Sequence, residues 1–532
     1  MNGEVRHLYD FTATDDPAKR ALYARGDYET HGGMYRVRAG ATLDLVTYFN
    51  AFSLAKWRRY TTLTAVTLRL ALTGACDVTV VARSPSGETV LHQEKAVTGA
   101  WTYTLPIGAA NVPDVATATH AAHAKNATAA ESATDAKNVA LIGVRLMART
   151  DGTVRGGYDG TFAAWRPQRI GAVICTYRRE AFVTRLMDTL DRFAAAHGWL
   201  HVLVVDNGGT LPVGQSASGN VETLRSRNYG GSGGFTRGMI ELVARGADDV
   251  ILLMDDDIVI EPSAIERMHA MLCGLRETYR DSFFSGAMLS MEQPCVQWEN
   301  TARWCIRSFP AGHNLDLSQP ENLCTNETPR TERDRYGGWW FCALPAKRVR
   351  ALGYPLPNFI KCDDMEYGLR NGKELLTLNG VGVWHAAFAG KTTPITCYFH
   401  SRNALILEHY AHDSWAMFAL HVVLRACRRC GRQTLTYLAA YDAALRDYAT
   451  GYEGITAIGA DARYAQVQRD IAAHATPTIL WHLAQHMASV IRHYPETRDR
   501  YRAFRDERLR DARFWNTYLG IPSTPQKEGA TP

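Results

Sequence analysis

The sequence predicts an α/β domain with a largely parallel sheet, preceded by a β-rich domain and followed by a helical region. Three observations predict this order. Residues 1–165 contain short stretches of alternating apolar and polar residues, residues 166–410 alternate short apolar runs with helical patterns, and residues 411–532 place apolar residues at helical spacing. The chain has 532 residues, which is enough for about three domains of the usual size.

The first domain, residues 1–165, is expected to be a β-sandwich or a small barrel. Alternation typical of strands recurs in short stretches, and Gly, Asp, Ser and Pro separate them. These stretches are residues 42–52, 63–72, 77–82, 89–97, 101–106 and 139–147. Residues 108–138 are rich in Ala and Thr, which favours a surface loop between strands. The sequence of this domain contains no apparent set of catalytic residues.

The second domain, residues 166–410, is predicted from apolar runs that alternate with helical patterns. The predicted strands are residues 170–175, 201–205 and 250–254, and the predicted helices are residues 181–195 and 235–245. This alternation is typical of a parallel sheet with helices on both faces, in which ligands bind beyond the carboxyl ends of the strands. A polar cluster follows each predicted strand, at residues 176–179, 206–209 and 255–257. We therefore expect the functional site at this edge of the sheet.

Composition excludes several classes of protein. Lys and Arg number 59 and Asp and Glu number 54, and a net charge of +5 argues against a protein that mainly coats nucleic acid. The 46% hydrophobic and 21% charged residues are typical of globular domains and exclude a mainly disordered chain. No run of about 18 uncharged apolar residues occurs, and the first residues lack the apolar segment of a secretory signal. We therefore expect a cytoplasmic protein whose 11 cysteines are reduced.

The helical region, residues 411–532, contains one Cys-x-x-Cys pair, Cys427 and Cys430. A zinc site would need two further ligands at suitable spacing, and the nearby His412 and His421 do not form such a pair. Two thiols on a helix are the favoured interpretation. The region ends in a short tail, residues 522–532, that we expect to be disordered.

Three carboxylates, Asp255, Asp256 and Asp257, follow the third predicted strand. Alternate side chains of an extended segment share a face, so Asp255 and Asp257 are expected to converge on one divalent cation, which prefers oxygen ligands. A solvated acidic turn is the alternative, but carboxylates at the end of a buried strand are costly without a partner. His385 follows a β-like run and is a candidate third ligand, although a lone histidine is more often structural.

A Gly-rich turn and a second acidic pair complete the polar signals. Residues 228–238 form a turn that runs into a helix, where backbone amides can approach a phosphate or ribose, although a structural turn is an equally good interpretation. Asp363 and Asp364 precede a predicted helix start. A carboxylate there can stabilise the helix terminus, or it can act as a general base.

Aromatic residues indicate a surface for sugars. Trp339 and Trp340 are adjacent, and aromatic faces stack on sugars and bases. Core packing is the alternative, but neighbouring side chains of a strand point to opposite sides, so the two rings cannot easily serve one core. Trp304 would extend the same surface. His400, like His385, is either a functional residue or a structural histidine.

Taken together, these segments resemble an inverting family 2 glycosyltransferase with the GT-A fold. The pieces that match, in the family's order, are residues 175–179, 205–208, 228–238, 255–257 and 363–364 and His385. Residues 47–61 are similar to the β-sandwich domain of bacterial cell-wall galactofuranosyltransferases, which extend galactan from UDP-galactofuranose. The resemblance implies a β-sandwich or jelly-roll domain at 1–165, a GT-A catalytic domain with a Rossmann-like mixed sheet at 166–410 and a helical domain at 411–532.

The resemblance also implies a role for each matching residue. Asp364 would be the base that deprotonates the acceptor hydroxyl, with Asp363 close by. Asp255, Asp257 and His385 would bind Mn²⁺ or Mg²⁺. The residues that would contact the nucleotide sugar are Thr176, Arg178, Asp206, Asn228, Gly230, Arg237 and Asp256. The residues that would line the acceptor site are Trp339, Trp340, Trp304 and His400.

The implied activity is transfer of β-galactofuranose from UDP-galactofuranose to a glycan or lipid-linked glycan acceptor, with inversion by direct displacement. A rhamnosyl- or other hexosyltransferase and an inactive carbohydrate-binding protein are the alternatives. A lipid-linked acceptor implies peripheral contact with the inner face of the membrane. The arginines at 425–432 beside Leu420, Val423 and Leu424 are the candidate surface, and a packed helix with exposed arginines is the alternative. We also expect a homo-oligomer and no nucleic-acid partner.

Overall fold

The structure is a computed structural model that describes residues 3–107, 139–387, 392–428 and 434–521. The predicted loop at 108–138, the predicted tail at 522–532, and Cys430 with its neighbours at 429–433 lie outside the described residues. In the described part of the chain, no helix is both long and apolar enough to cross a membrane.

The described residues before 163 contribute nine strands to one antiparallel sheet. The strands are β1 (Glu4–Asp10), β2 (Arg25–Gly26), β3 (Glu29–His31), β4 (Met34–Val37), β5 (Thr42–Asp44), β6 (Leu63–Ser84), β7 (Gly87–Pro106), β8 (Leu141–Ala148) and β9 (Gly152–Phe162). Strand β6 pairs with β9 along its first half and with β8 along its second half, while β7 lies on its other side. Buried and less buried side chains alternate along β6, as expected for a strand with one face on a core.

The strand predicted at residues 42–52 is wrong beyond Asp44. A short helix, α1 (Leu54–Tyr60), begins soon after it. The Asn50 amide donates to the backbone carbonyls of Thr12 and Tyr23 at 2.8 and 2.7 Å, so side-chain bonds to distant parts of the domain hold this segment in place of a strand ladder.

The second sheet is mixed, and its strand order is β12-β13-β11-β10-β14-β23-β16. Its strands are β10 (Ile170–Thr176), β11 (Leu200–Asp206), β12 (Gly214–Gln215), β13 (Val221–Arg225), β14 (Val250–Asp255), β16 (Phe284–Ser285) and β23 (Phe341–Pro345). Strands β13, β11, β10 and β14 are parallel, and the strands beyond them pair antiparallel. The three strands predicted from apolar runs are therefore confirmed.

The helices α2 (Glu180–Ala196), α3 (Gly230–Arg245) and α4 (Ser263–Gly274) connect these strands. The predicted helices at 181–195 and 235–245 are confirmed, with one difference. Helix α3 begins at Gly230, so the Gly-rich residues form its first turns and not a separate loop.

The two faces of the second sheet border different cores. Ile174 and Val204 belong to the core shared with the first sheet, whereas Val173 and Leu203 belong to the core shared with the C-terminal helices. Strands covered on both faces are apolar throughout, which explains why they appear as continuous apolar runs.

Two smaller sheets lie beyond the second one. Strands β15 (Val259–Ile260), β24 (Gly382–His385), β17 (Ala287–Ser290), β18 (Val296–Glu299) and β21 (Leu315–Asp316) form one, and β20 (Arg307–Ala311), β19 (Thr301–Cys305) and β22 (Arg335–Tyr336) form the other. Trp384 of β24 packs against segments of the N-terminal domain that lie outside its strands, because its ring centroid lies 5.8 Å from that of Phe49 and the Lys19 ammonium lies 4.3 Å above its face.

The remaining helices cover residues 320–519. They are α5 (Pro320–Glu327), α6 (Ala346–Leu352), α7 (Asp363–Asn371), α8 (Pro394–Ala411), α9 (Trp415–Cys427), α10 (Thr434–Ile455), α11 (Ala460–His474), α12 (Ile479–Arg492), α13 (Tyr494–Ala503) and α14 (Arg513–Leu519). Helix α8 packs on α10, and α10 packs on α12, so the C-terminal region is helical as the sequence predicts.

Candidate active site

Two carboxylates and one imidazole meet at the carboxyl edge of the second sheet. Asp255 ends β14, Asp257 follows two residues later, and His385 ends β24. The His385 Nε2 atom lies 3.2 Å from Asp257 Oδ1 and 3.8 Å from Asp255 Oδ2. One ligand atom from each residue lies within 4.8 Å of the others, which fits a divalent cation.

The tautomer of His385 suits a metal ligand. Its Nδ1 atom lies 2.7 Å from the carbonyl oxygen of Ala386, and this oxygen can only accept, so Nδ1 carries the proton. In the neutral form the lone pair of Nε2 can bind a cation between the two carboxylates, and in the protonated form Nε2–H donates to Asp257 at 3.2 Å. A backbone carbonyl in this position is the usual partner of a metal-binding histidine.

The negative charge of this cluster is concentrated. Burial raises the pKa of Asp255 to about 6, and the charges of Asp257 and Asp256 add to the effect. Burial disfavours the charged form of His385, but its hydrogen bond to Asp257 and the charge of Asp255 outweigh burial and raise its pKa. A divalent cation would relieve the repulsion between the carboxylates.

The middle carboxylate, Asp256, has a different environment. It is buried, accepts the Thr176 hydroxyl at 2.7 Å and accepts Arg179 Nη1 at 3.2 Å. Arg179 also contacts Asp257. Asp256 and Thr176 therefore join the ends of β14 and β10, and their predicted contact with the nucleotide sugar stays a prediction.

Three further residues predicted to contact the nucleotide are held by the protein itself. Asp206 is fully buried, and its two carboxylate oxygens accept the backbone N–H groups of residues 208, 209 and 211 at 2.8–2.9 Å, so it shapes the loop after β11. Arg237 lies two turns inside α3 and donates to Glu241 at 2.8 Å. Asn228 accepts the N–H of Gly230 at 3.1 Å. Arg178, by contrast, is exposed at the sheet edge and has a positive φ of 55°.

Gly230 is required where it stands. Its φ is +69°, which favours glycine, and a Cβ at this position would overlap the carbonyl oxygen of Phe359. The first turn of α3 is therefore in contact with the loop that precedes Asp363. A Cβ at the next residue, Gly231, would lie 3.7 Å from Asp363 Oδ2.

Asp363 and Asp364 begin helix α7 on the side of the cation cluster. The Asp364 Oδ1 atom accepts the Met365 N–H at 2.8 Å. Burial raises the pKa of Asp364 to about 8, and the neighbouring carboxylate of Asp363 adds to this effect. Burial raises the pKa of Asp363 as well, to about 6, and the charge of Asp363 in turn raises the pKa of Asp255. Such raised values suit a general base, since they make the carboxylate more basic.

Sequence reasoning missed Glu299, which lies near Asp364. Glu299 ends β18 and is buried, and burial raises its pKa to about 7. Its charge is one of the causes of the raised pKa of Asp364. The signal in the sequence is weak, since it consists of a single acidic residue at the end of a short alternating run.

The tryptophans predicted for the acceptor site are buried. Trp304 is 4%, Trp339 5% and Trp340 6% exposed. Trp304 donates to Glu408 at 2.7 Å, and Trp340 donates to the Gly286 carbonyl at 3.0 Å. Trp339 and Trp340 precede β23 and join two different cores, as their opposite directions predict. Their burial favours the packing interpretation, and contact with an acceptor stays a prediction.

Histidines near the site fall into two groups. His400 is partly buried, and its Nδ1 lies 3.9 Å from the Cys362 sulfur, beside the loop before Asp363. His412 and His421 lie 2.9 and 2.8 Å from the carboxylate of Glu408. Within the described residues, the only His, Cys, Asp and Glu group with metal-binding geometry is Asp255–Asp257–His385. The Cys427 and Cys430 pair is not tested by this, because Cys430 lies outside the described residues.

Two family descriptions match parts of this chain. Residues 3–120 match the family described as galactofuranosyltransferase 2 N-terminal, and residues 167–389 match glycosyltransferase like family 2. The solved structure of the mannosyltransferase PcManGT from Pyrobaculum calidifontis is 12% identical over 64% of this chain and 87% of its own, with a TM-score of 0.31.

Curated relatives are more similar in sequence. The galactofuranosyltransferase GlfT2 of Mycobacterium tuberculosis is 29% identical over 76% of this chain, and GlfT2 of Mycolicibacterium smegmatis is 29% identical over 79%. The chain spans 63% and 65% of the lengths of these two relatives. The galactofuranosyltransferase GlfT1 of M. tuberculosis is 31% identical over 43% of this chain and 74% of its own length. The chain therefore belongs to the family 2 glycosyltransferases, in the group that contains the mycobacterial galactofuranosyltransferases.

Proposed function

We propose that this protein is a metal-dependent, inverting galactofuranosyltransferase that uses UDP-galactofuranose and extends a galactan-type glycan or lipid-linked glycan. The observation that carries the proposal is the joint position of two acidic sites. These are the Asp255–Asp257–His385 cluster and the Asp363–Asp364 pair. The Gly-rich turn connects them, since a Cβ at Gly231 would lie 3.7 Å from Asp363 Oδ2. The Gly230 carbonyl lies 3.8 Å from the sulfur of Cys175, which pairs with Asp255 in the sheet.

Each site has a separate task in the proposed reaction. Asp255, Asp257 and His385 would hold Mn²⁺ or Mg²⁺, and the ion would supply positive charge for the diphosphate leaving group. Asp364 accepts the proton of the acceptor hydroxyl as that oxygen attacks the anomeric carbon. Asp363 lies between the base and the first turn of α3, where it orients the reacting groups. Direct displacement from the opposite face gives inversion.

Binding of the donor would use the strand edge and the Gly-rich turn. Arg178 is the most accessible candidate for the uridine diphosphate, because it is exposed beside the end of β10. Thr176, Asp206, Asn228, Gly230, Arg237 and Asp256 would act mainly by shaping this surface. The acceptor would approach from the side of His400 and the edges of Trp304, Trp339 and Trp340.

We also propose the domain division at 1–165, 166–410 and 411–532, with a β-sandwich first and a GT-A fold second. The long β6–β7 pair supports the sandwich, since its two halves pair with different neighbours. Parallel strands that end in the acidic cluster support the GT-A assignment.

Contact with a membrane surface is a further part of the proposal. Leu420, Val423 and Leu424 on α9 are 39–46% exposed, and Trp481 on α12 is 67% exposed. Arg425 does not belong to this surface, because it is buried and donates to His421 at 2.7 Å. Flotation with anionic vesicles, compared between wild type and a Trp481→Ser variant, tests the contact.

A homo-oligomer is proposed for the intact enzyme, and light scattering measures the number of subunits.

Product analysis tests the proposed activity. Purified protein is incubated with Mn²⁺, a synthetic galactofuranosyl acceptor and one donor at a time: UDP-galactofuranose, UDP-galactopyranose or dTDP-rhamnose. New β-galactofuranosyl linkages from UDP-galactofuranose alone, abolished by a chelator, support the proposal. Transfer from another donor alone would establish a different hexosyltransferase, and binding of glycan without binding of UDP or Mn²⁺ would establish a carbohydrate-binding protein.

A further inference from the structure

The loop immediately before Asp363 has an unusual backbone. Phe359, Lys361 and Cys362 have φ values of 70°, 70° and 64°. Residues other than glycine rarely adopt this left-handed conformation, and three of them within four positions persist only when neighbouring groups hold the backbone. The groups that hold this loop therefore determine where the carboxylates of Asp363 and Asp364 lie.

One side chain of α8 holds the loop from one side. Asn403 is 1% exposed, and the two N–H groups of its Nδ2 amide are shared among the carbonyl oxygens of Asn358, Ile360 and Lys361, at 3.1, 2.8 and 2.9 Å. Its Oδ1 atom accepts Arg402 Nε at 2.9 Å, which fixes the orientation of the amide. A single amide thus gathers three carbonyl oxygens that would otherwise repel one another.

Other contacts tie the same loop to the Gly-rich turn and to α10. The Ser232 N–H donates to the carbonyl oxygen of Phe359 at 3.1 Å, in the space that Gly230 leaves open. The Tyr452 hydroxyl donates to Asn358 Oδ1 at 2.7 Å. Loop 358–362 therefore links the first turn of α3, where the donor is proposed to bind, to the start of α7.

We propose that Asn403 is a positioning residue for the general base: its amide holds loop 358–362 so that Asp364 faces the acceptor hydroxyl. The inference rests on the proposed function, because it takes Asp364 as the base. Asn403 does not touch the reacting atoms, since its amide is occupied by the three carbonyl oxygens. Without this amide the loop would relax and displace Asp364, whereas Asp255, on strand β14, would keep its place.

The test compares Asn403→Ala with Asn50→Ala. Asn50 is a matched control, because it is also buried and its amide also gathers backbone carbonyls, but it lies in the N-terminal domain, between β5 and α1. We expect Asn403→Ala to lower kcat for galactofuranosyl transfer by about 100-fold, while KM for the donor changes by less than about threefold. Asn50→Ala should lower the Tm by a similar amount and kcat by less than about threefold. Asn403→Ser, which keeps one donor, should give an intermediate kcat and serves if the alanine variant does not fold.

A second measurement does not depend on activity. Hydrogen exchange at residues 358–366 should accelerate in Asn403→Ala or Asn403→Ser and stay unchanged in Asn50→Ala. If the wild type transfers sugar from none of the donors, the proposed function fails, and the exchange result alone decides whether Asn403 holds the loop. Unchanged exchange overturns the inference, and so does a near-normal kcat in the Asn403 variants of an active enzyme. An equal loss of kcat in Asn50→Ala also overturns it.

Discussion

The hydroxyl of Thr176 donates to the carboxylate of Asp256 at 2.7 Å, and this bond separates Asp256 from the other two carboxylates of the acidic triplet. Asp256 is directed at β10 and Arg179, where it joins two strand ends. Asp255 and Asp257 are directed at His385, where they form the cation cluster. We therefore expect replacement of Asp255 or Asp257 to affect cation binding, and replacement of Asp256 to affect mainly stability.

Replacing Asp255 or Asp257 with Asn is expected to weaken Mn²⁺ binding by about 100-fold and to lower transfer accordingly, because each variant removes a charged ligand. Asp256→Asn is the matched variant, and it should change Mn²⁺ affinity by less than about tenfold while lowering the Tm, since it weakens the bonds to Thr176 and Arg179. Calorimetry with Mn²⁺ in the presence of UDP measures the affinities. Equal losses of affinity in all three variants would contradict this division.

Asp364→Asn is expected to lower kcat by about 10²–10⁴-fold, because an amide cannot take the proton of the acceptor hydroxyl. Asp363→Asn should lower it less, since Asp363 is assigned to orientation. UDP affinity, measured by calorimetry, should stay within about threefold of wild type in both variants. A greater loss of kcat in Asp363→Asn would reverse the two assignments.

The raised pKa of Asp364 predicts opposite effects of pH on rate and on stability. A base works when it is deprotonated, so kcat should rise with pH and level off above about 8. The folded state binds this proton more tightly than the unfolded state, whose carboxyl pKa is about 4. The contribution of Asp364 to stability is therefore complete below about pH 4 and is lost as the pH rises through about 8.

These pH effects can be measured on the same two proteins. The kcat of the wild type is followed between about pH 5 and pH 9, and the Tm of the metal-free wild type is compared with that of Asp364→Asn over the same range. The wild type should lose more stability than the variant as the pH rises. A kcat that is constant over this range would argue against Asp364 as the base.

Gly230→Ala should destabilise the protein more than Gly246→Ala, although both glycines are left-handed, with φ of +69° and +66°. Alanine at Gly246 would meet no atom within 4 Å, so only the backbone penalty of roughly 1–2 kcal/mol applies. Alanine at Gly230 would also overlap the Phe359 carbonyl oxygen, and we expect a loss of about 3 kcal/mol or more in the free energy of unfolding. Urea unfolding measures both losses. Similar values for the two variants would show that loop 358–362 moves aside easily.

Local patterns in the sequence predicted the strands that carry the site. They did not predict the contacts between residues that are far apart in the chain. The strands that end at Thr176 and Asp255 are recognisable because apolar side chains fill both faces of a parallel sheet. The role of Asn403 is not recognisable in this way, since its amide reaches a carbonyl 43 positions earlier in the chain. The direction of Asp256 is equally hidden, because it depends on Thr176, 80 positions away.

The aromatic residues illustrate the same limit. Adjacent positions predict that Trp339 and Trp340 point in opposite directions, and they do. Whether each direction leads to solvent or to a core depends on what else packs there, and here a separate core lies on each side. Exposure of an aromatic residue is a property of the assembled fold, which spacing alone does not predict.

The contact of Trp384 with Phe49 and Lys19 connects the proposed cation site to the N-terminal domain. Trp384 is the residue before His385, so we expect packing at this contact and binding of the proposed cation to be coupled. Thermodynamic linkage makes such coupling reciprocal. A bound cation should slow local opening of the contact between Lys19 and Trp384, and loosening of this contact should speed release of the cation. The N-terminal domain would then influence how tightly the cation is bound, although none of the proposed ligands belongs to it.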